Sequence, residues 1–479
     1  MTVGDNRHRQ WPNSEWAAAG LLITLALALA VLGLAMFGRF HADDWFYLSY
    51  IVEINSPNPN LDDPFMGTDA DLLARFRYSL TVWTFAGLNA LLGGDPVWLW
   101  HSVAPPALMV ISFVGVFIAL RAAGCKPAVA AAGCVAWVLY FLTTYWGFIG
   151  FSFFARLPQD KMTTWLVLAP FVLAAGAWLA RFASDSRDQR AEHERRAFAA
   201  RVAAFAAAAA LAAAIHPVGT AFSAMIGAAL VLQSAWRRWS WPDRRVALGC
   251  FLGLLPAVAL SAAMRLFLPE DSLGASFQIR GELSPLDLDM GDLGITPTDP
   301  VPWFVFVGSL AMVNPGVISI LNIGALVWIA FALRARRRTA ALQLAACLYV
   351  VCLPLFVPGV PDLMARFVGN QTVIRLTGIF PLAFVLSTAD LVGWLRDDAT
   401  ASQRRLGTAA AALTLVLAGV PAWSAYSDYP DEHISGPEAQ EERMFDAIDE
   451  IVGDEPHRVT VLSSNGSASS YPATPRTPM

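Results

Sequence analysis

Long apolar runs separated by short polar segments cover most of the chain, from residue 17 to residue 424. A helix that crosses the hydrocarbon core of a bilayer needs about 20 mostly apolar residues, and this requirement predicts eleven spans. The pair His216-Pro217 interrupts an otherwise continuous apolar run, so a turn is predicted there. The predicted spans are Ala17–Phe37, Val97–Leu120, Pro127–Tyr145, Met162–Ala180, Val202–Ile215, Val218–Trp236, Val246–Met264, Val313–Leu333, Ala340–Val357, Leu376–Leu395 and Leu406–Trp423.

Basic residues are concentrated in alternate connections between these spans. If the N-terminus is inside the cell, every inner segment carries at least two Lys or Arg residues, as the positive-inside rule requires. This predicts a cytoplasmic N-terminal tail (1–16), a transmembrane bundle (17–424) and a small extracytoplasmic tail (425–479) whose end is disordered. The basic residues of the inner segments include Arg121, Lys126, Arg181, Arg201, Arg237, Arg238, Arg334, Arg336, Arg337, Arg338, Arg396, Arg404 and Arg405.

Composition supports an all-α polytopic membrane protein of about eleven transmembrane helices. The chain is 56% hydrophobic and 15% charged, whereas soluble domains carry about 25% charged residues. The net charge of −5 argues against a nucleic-acid partner. Abundant Ala and Arg suggest a GC-rich bacterial genome, and hence the bacterial inner membrane. The five cysteines lie in or beside apolar runs without metal-ligand spacing, and we interpret them as small core residues.

Two outer loops are predicted to contain interfacial helices. In the first outer loop (38–96), the stretch Asp69–Leu92 becomes amphipathic, a pattern typical of a helix that lies along the membrane surface. In the fourth (265–312), the apolar stretch Val301–Met312 is too short to cross the bilayer, so it is predicted to lie at the outer interface or to re-enter.

The sequence His41-Ala42-Asp43-Asp44-Trp45-Phe46-Tyr47 directly follows the first predicted span. It places two adjacent carboxylates and several aromatic rings at the mouth of a membrane helix, where aromatic residues mark the interface. Partial desolvation makes such carboxylates candidates for a proton acceptor or a cation ligand. The alternative interpretation is a solvated pair at the end of a helix.

Further ionisable residues lie at the outer ends of other spans, whereas Asp390 is the one carboxylate inside a predicted span. Because proton and ion relays need midplane charges, this distribution favours work at the outer face. Cations there could hold a phosphate, and a carboxylate could remove a proton. The alternatives are snorkelling for Lys161 and Arg375, an Arg156–Asp160 pair, and a turn role for His216. The remaining candidates are Arg366, Arg265 and His41; Glu53, Asp62, Asp63, Asp69 and Asp71 are interpreted as solvated charges that a divalent cation could use.

The order of these features resembles the GT-C superfamily of integral-membrane glycosyltransferases, which use polyprenyl-phosphate sugars. Asp43 and Asp44 match the acidic motif that follows the first span in that superfamily. The stretch from Arg375 to Pro381 is similar to a late outer arginine followed by a proline, and Lys161 or Arg156 could match a basic residue of the second outer region. Many members carry a large soluble domain after the last span, and the tail of this chain is much smaller.

The resemblance implies an inverting transfer of a hexosyl or pentosyl group from a polyprenyl-phosphate donor to an acceptor hydroxyl of a glycan, lipid or peptide. It implies Asp43 or Asp44 as the general base, and Arg156, Lys161, Arg375 and Arg366 as ligands of the donor phosphate. Asp160, His216 and His41 are accessory candidates. No cofactor is certain, and a divalent cation is compatible with the pattern. Two other classes stay open, a lipid-linked-sugar flippase or transporter and a non-catalytic envelope-assembly protein.

Overall fold

The computed structural model is helical over most of the chain that it describes. The described residues are 12–38, 42–56, 62–63, 67–71, 79–144, 153–185, 191–238, 243–267, 320–357, 360 and 375–427. Several sequence predictions lie outside them, namely those for His41, Arg366, the stretch Val301–Met312 and the tail from residue 428, as do the side chains of Asp43 and Arg265.

Thirteen helices and two short strands are used below. Two of the helices, α4 and α6, contain a π-helical segment near their N-terminal end. The helices up to α6 and the strands are α1 (Asn13–Phe37), α2 (Ala42–Ile54), β1 (Asp62–Asp63), β2 (Gly67–Asp71), α3 (Leu80–Leu92), α4 (Pro96–Trp98, π-helical Leu99–Val103, Ala104–Ala122), α5 (Pro127–Thr143) and α6 (Asp160–Met162, π-helical Thr163–Leu168, Ala169–Asp185). The later helices are α7 (Ala191–Ile215), α8 (Val218–Arg238), α9 (Arg244–Phe267), α10 (Ile320–Arg334), α11 (Ala340–Cys352, then 3₁₀ Leu353–Phe356), α12 (3₁₀ Thr377–Ile379, then Phe380–Asp397) and α13 (Ala401–Ser427).

Each predicted span overlaps one of these helices, and the predicted break at His216-Pro217 is confirmed between α7 and α8. In the described part of the chain, seven helices are long and apolar enough to cross a membrane: Asn13–Met36, Pro96–Ala122, Asp160–Arg181, Arg195–Ile215, Val218–Trp236, Arg244–Met264 and Thr377–Asp397. The chain is therefore a polytopic membrane protein by the length and composition of its helices, and the total of eleven spans stays a prediction.

The segment predicted as the first outer loop differs from its prediction at the N-terminal end of the amphipathic stretch. Residues Gly67–Asp71 form a strand that pairs antiparallel with Asp62–Asp63, so no helix begins at Asp69. The helix begins at Leu80 because the Ser79 hydroxyl caps it, accepting a hydrogen bond from the Val82 amide at 3.4 Å. Gly93 ends it in the left-handed conformation, with φ of 63°.

Among the described residues, the helices bury one large apolar cluster, one small one and a group of three alanines, Ala209, Ala213 and Ala257, between α7 and α9. In the large cluster, α1 packs against α5, α4 against α6, and α7 against α9. The small cluster joins α2, α3 and the start of α4, and contains Tyr47, Ile51, Val82, Phe85 and Trp100. All five cysteines are free; four are buried and Cys125 is half-buried, as predicted for core residues.

At one end of the bundle, a buried carboxylate ties three helices together. Asp390 of α12 accepts hydrogen bonds from Arg337 Nε at 3.1 Å, from Trp328 Nε1 at 3.2 Å and from Thr339 Oγ1 at 2.5 Å. Arg337 also binds Asp398 at 2.6 Å. The lone carboxylate of the predicted spans therefore anchors the loop between α10 and α11, and it is satisfied by donors from three sides.

Two further ion pairs close the same end. Lys126 lies 2.8 Å from Asp397, and Arg396 binds Glu15 near the start of α1. The segment Arg334–Arg338, interpreted from sequence as an orientation signal, thus contains at least one arginine that also holds the bundle together.

We expect Arg337→Met to lower the free energy of unfolding by roughly 2–4 kcal/mol, because it leaves Asp390 buried without its charged partner. Thermal unfolding of the purified protein in detergent measures this effect. Arg334→Met is the matched control, since Arg334 is exposed at the end of α10. Equal unfolding temperatures for the two variants would show that the Arg337–Asp390 pair does not stabilise the bundle.

Candidate functional site

The acidic pair lies in the first turn of α2, where the positive end of the helix dipole favours carboxylates. The Asp44 side chain is 0% exposed. The interpretation of a solvated pair is therefore wrong for Asp44, because a charged group is buried in this way only where partners replace its water.

Asp44 receives its hydrogen bonds from two distant parts of the chain. Its Oδ1 atom accepts from Trp100 Nε1 of α4 at 3.1 Å and from Gln159 Nε2, just before α6, at 3.0 Å. Its Oδ2 atom lies 3.9 Å from His101 Nε2. Hydrogen bonds to an ionised acceptor are among the stronger ones in proteins, so this carboxylate holds α2 to the starts of α4 and α6.

Arg156 joins the same network through the Gln159 amide. Its Nε atom donates to Gln159 Oε1 at 3.0 Å, and both side chains are buried. A chain of hydrogen bonds therefore runs from Arg156 through Gln159 to Asp44. The predicted cation and the predicted carboxylate are brought together, with one amide between them.

Asp160 is the second buried carboxylate of the site. Its Oδ1 atom accepts from the Tyr47 hydroxyl of α2 at 2.5 Å and from the Lys161 amide at 2.6 Å. Asp160 therefore fixes α2 against the first turn of α6, and the adjacent Lys161 side chain is half-buried at that turn. In the described structure, Asp160 therefore has a positioning role between Tyr47 of α2 and the first turn of α6.

Arg375 lies at the start of the turn that leads into α12. The Trp165 indole of α6 donates to the Gly378 carbonyl of that turn at 2.6 Å. A Cβ atom on Gly378 would lie 2.1 Å from the Trp165 ring, so the close approach requires glycine. The start of α6, which carries Lys161, and the turn that begins at Arg375 are therefore neighbours.

His216 lies in the turn between α7 and α8, and its Nδ1 atom accepts a hydrogen bond from the Val218 amide at 3.1 Å. This contact lies within the turn that precedes α8. Thr164 Oγ1 of α6 lies 3.4 Å from the Ala212 carbonyl of α7. The His216 turn therefore belongs to the same end of the bundle as Lys161.

Four residues of this site were missed from sequence: Tyr47, Trp100, His101 and Gln159. His101 carried a usable signal, because an ionisable side chain inside an apolar run is a functional candidate by default. His101 lies inside the predicted span Val97–Leu120, so its position along the sequence is such a signal. Gln159 and the two aromatic residues carried none, since their polar atoms matter here only through distant partners.

A cavity of about 360 Å³ lies beside this network, between α1, the start of α4 and the segment before α6. Its walls are mostly apolar and include Leu34, Pro105 and Phe154, with Trp100 and His101 on the side of Asp44. Ligand pockets commonly measure about 300–1,000 Å³, so a sugar-sized group fits.

Three of the cations predicted to bind phosphate, Arg156, Lys161 and Arg375, are not among the described residues that line this cavity. Arg156 is instead joined to the Asp44 carboxylate through Gln159.

The fold is similar to that of a solved membrane enzyme. The apo crystal structure of the Archaeoglobus fulgidus oligosaccharyltransferase aligns with a TM-score of 0.51 and 12% sequence identity, over 92% of this chain and 58% of that one. A structure of the same enzyme described as a complex with Zn and sulfate aligns with a TM-score of 0.48 and 12% identity, over 91% and 55%. This chain thus spans less than two thirds of that enzyme's length.

No family model and no curated protein sequence matches this chain. At 12% identity the structural likeness concerns the fold alone. Among the described residues, no group of three or more His, Cys, Asp or Glu side chains is arranged to hold a metal ion. The side chains of Asp62, Asp63, Asp69 and Asp71 lie outside those residues.

We expect Trp100→Phe to lower the free energy of unfolding by about 1–3 kcal/mol, because the buried Asp44 carboxylate loses a donor. Trp98→Phe is the matched control, since Trp98 lies two residues earlier and is 53% exposed. Thermal unfolding in detergent compares the two. A Trp100 variant as stable as the Trp98 variant would contradict the importance of the indole–carboxylate bond.

We expect Gly378→Ala to lower the free energy of unfolding by about 1–3 kcal/mol, because its new methyl group overlaps the Trp165 ring. Gly393→Ala in the same helix is the control, since its nearest neighbour, Val129, would lie 4.0 Å from the added Cβ. Unfolding temperatures of both variants test the claim, and an unchanged Gly378 variant would refute it.

Proposed function

We propose that this protein is an inverting glycosyltransferase that moves a sugar from a polyprenyl-phosphate donor to an acceptor hydroxyl at the extracytoplasmic face of the membrane. The observation that carries the proposal is the buried Asp44 carboxylate beside a mostly apolar cavity, hydrogen-bonded through Gln159 to Arg156. The fold likeness to an oligosaccharyltransferase supports the same class of reaction.

The carboxylates of Asp43 and Asp44 supply the negative charge that drives removal of the acceptor proton. The acceptor oxygen forms a bond to the anomeric carbon of the sugar, and the bond from that carbon to the phosphate oxygen breaks. Charges act more strongly in a site with few waters. The complete burial of Asp44 and the apolar walls of the cavity therefore favour this step.

The leaving polyprenyl phosphate gains negative charge, and cations stabilise it. Arg156 is fixed in orientation by its bond to Gln159, and a planar guanidinium suits bidentate contact with phosphate. Lys161 and Arg375 lie at the starts of neighbouring helical elements held together by the Trp165–Gly378 bond. In this proposal these three residues, with Arg366, bind the donor headgroup, and a divalent cation assists if the acidic residues of the first outer loop bind one.

The decisive experiment measures transfer of radiolabelled sugar from polyprenyl-phosphate donors to glycan, lipid and peptide acceptors. We expect Asp44→Asn to lower kcat by roughly 10²–10⁴-fold, the magnitude of general acid–base assistance, because its charge drives removal of the acceptor proton. Arg156→Met is expected to raise KM for the donor or to lower kcat. Asp397→Asn, whose half-exposed carboxylate pairs with Lys126 at the other end of the bundle, is the control for charge loss without loss of transfer.

The same assay separates the proposal from its rivals. Movement of intact donor across vesicles, with no new glycosidic product and no effect of Asp44→Asn, would identify a flippase or transporter. Absence of both transfer and movement for the wild-type protein would favour a non-catalytic assembly role.

A further inference from the structure

Asp44 and His101 differ in how far their side chains are exposed to the cavity. Asp44 is 0% exposed, whereas the His101 side chain is 23% exposed and lines the cavity. The imidazole thus lines the cavity and also lies 3.9 Å from the carboxylate, which is not among the described residues that line it.

The two oxygens of Asp44 have different neighbours. Oδ1 accepts from Trp100 and Gln159, while Oδ2 lies on the side of His101, 3.9 Å from its Nε2 atom. This separation suits an ion pair once the imidazole is protonated, and catalytic contacts in ligand-free structures are often longer than in the working complex.

Trp100 and His101 are consecutive residues of the π-helical segment Leu99–Val103, and both lie within 4 Å of the Asp44 carboxylate. Such segments widen a helix locally and are frequent at functional sites. Trp100 is fixed by stacking on Tyr47 (5.2 Å between ring centroids) and by contact with Phe85 (4.8 Å). Because Trp100 is fixed in this way, the backbone that carries His101 is also held in place.

We propose that His101 is the catalytic base and that Asp44 positions it, an assignment that rests on the proposed function. The acceptor O–H bond breaks and its proton passes to the imidazole nitrogen that does not face Asp44. The acceptor oxygen bonds to the anomeric carbon, and the carbon–oxygen bond to the phosphate breaks with its electron pair leaving on the phosphate. The Asp44 carboxylate stabilises the imidazolium, and the proton later passes to water. A buried carboxylate supporting a histidine base is an arrangement known to be effective.

The first test is kinetic. His101→Gln and His101→Asn are expected to lower kcat by roughly 10²-fold or more, with KM for the donor unchanged. Added imidazole is expected to restore part of the activity of His101→Ala, which a purely structural role would not produce. Because residues that act as a unit are not additive, combining His101→Gln with Asp44→Asn is expected to cost little beyond the worse single variant.

The second test does not depend on activity. Diethyl pyrocarbonate acylates neutral imidazole, and mass spectrometry of the intact full-length protein after labelling reports each histidine separately. We expect His101 to react in the wild-type protein, and the pH at which its labelling is half-maximal to fall in Asp44→Asn, because the imidazolium then lacks the carboxylate that stabilises it. The internal control is His216, whose Nδ1 atom is bound to the Val218 amide, and its labelling should not change.

The outcomes separate the two proposals. If the wild-type protein transfers sugar, any one of three results would overturn the role of His101 while leaving the glycosyltransferase in place. These results are full kcat in His101→Gln, no imidazole rescue of His101→Ala, and labelling of His101 that does not depend on Asp44. Asp44-dependent labelling of His101 in a protein that transfers no sugar would overturn the proposed function and, with it, the catalytic role, leaving an imidazole–carboxylate pair. Unfolding temperatures in detergent identify variants that fail to fold. The labelling test compares the wild-type protein with Asp44→Asn, so it does not require a folded His101 variant.

Discussion

A buried carboxylate must have its water replaced by hydrogen-bond donors, and Asp44 is the carboxylate on which the site depends. Its partners come from α4 and from the residue before α6, while Asp44 itself belongs to α2. Leaving such a group without donors costs several kcal/mol. The three elements are therefore held in one arrangement, and the cavity beside them takes its shape from that arrangement.

The same requirement operates at the other end of the bundle with a different result. Asp390 is buried among Arg337, Trp328 and Thr339, and this network ties α12 to α10 and to the loop that follows it. In the described part of the chain, the space next to the start of α11 measures about 10 Å³, whereas the cavity beside Asp44 measures about 360 Å³. One buried carboxylate thus lies in a closely packed network and the other beside a cavity.

The arrangement around Asp44 bears on the proposed acid–base chemistry. A rim of solvated charges would let a carboxylate contact an acceptor directly. Here the carboxylate is buried, an imidazole lines the cavity, and Arg156 is connected to the carboxylate through an amide. The fold is similar to that of an oligosaccharyltransferase, but a fold does not assign roles to residues, and the proposed roles follow from the local contacts.

Local pattern in the sequence predicted the helices well, because the length of an apolar run and a turn such as His216-Pro217 act within a few residues. The pair Asp43-Asp44 was also identifiable by its position after the first span. The pattern failed at Gly67–Asp71, where strand pairing replaced the start of the predicted amphipathic helix. The tertiary structure alone decided that Asp44 is buried and that Trp100, 56 residues away, and Gln159, 115 residues away, donate to it. Hydrophobic periodicity describes one helix at a time, and the partners of a buried charge depend on how several helices pack.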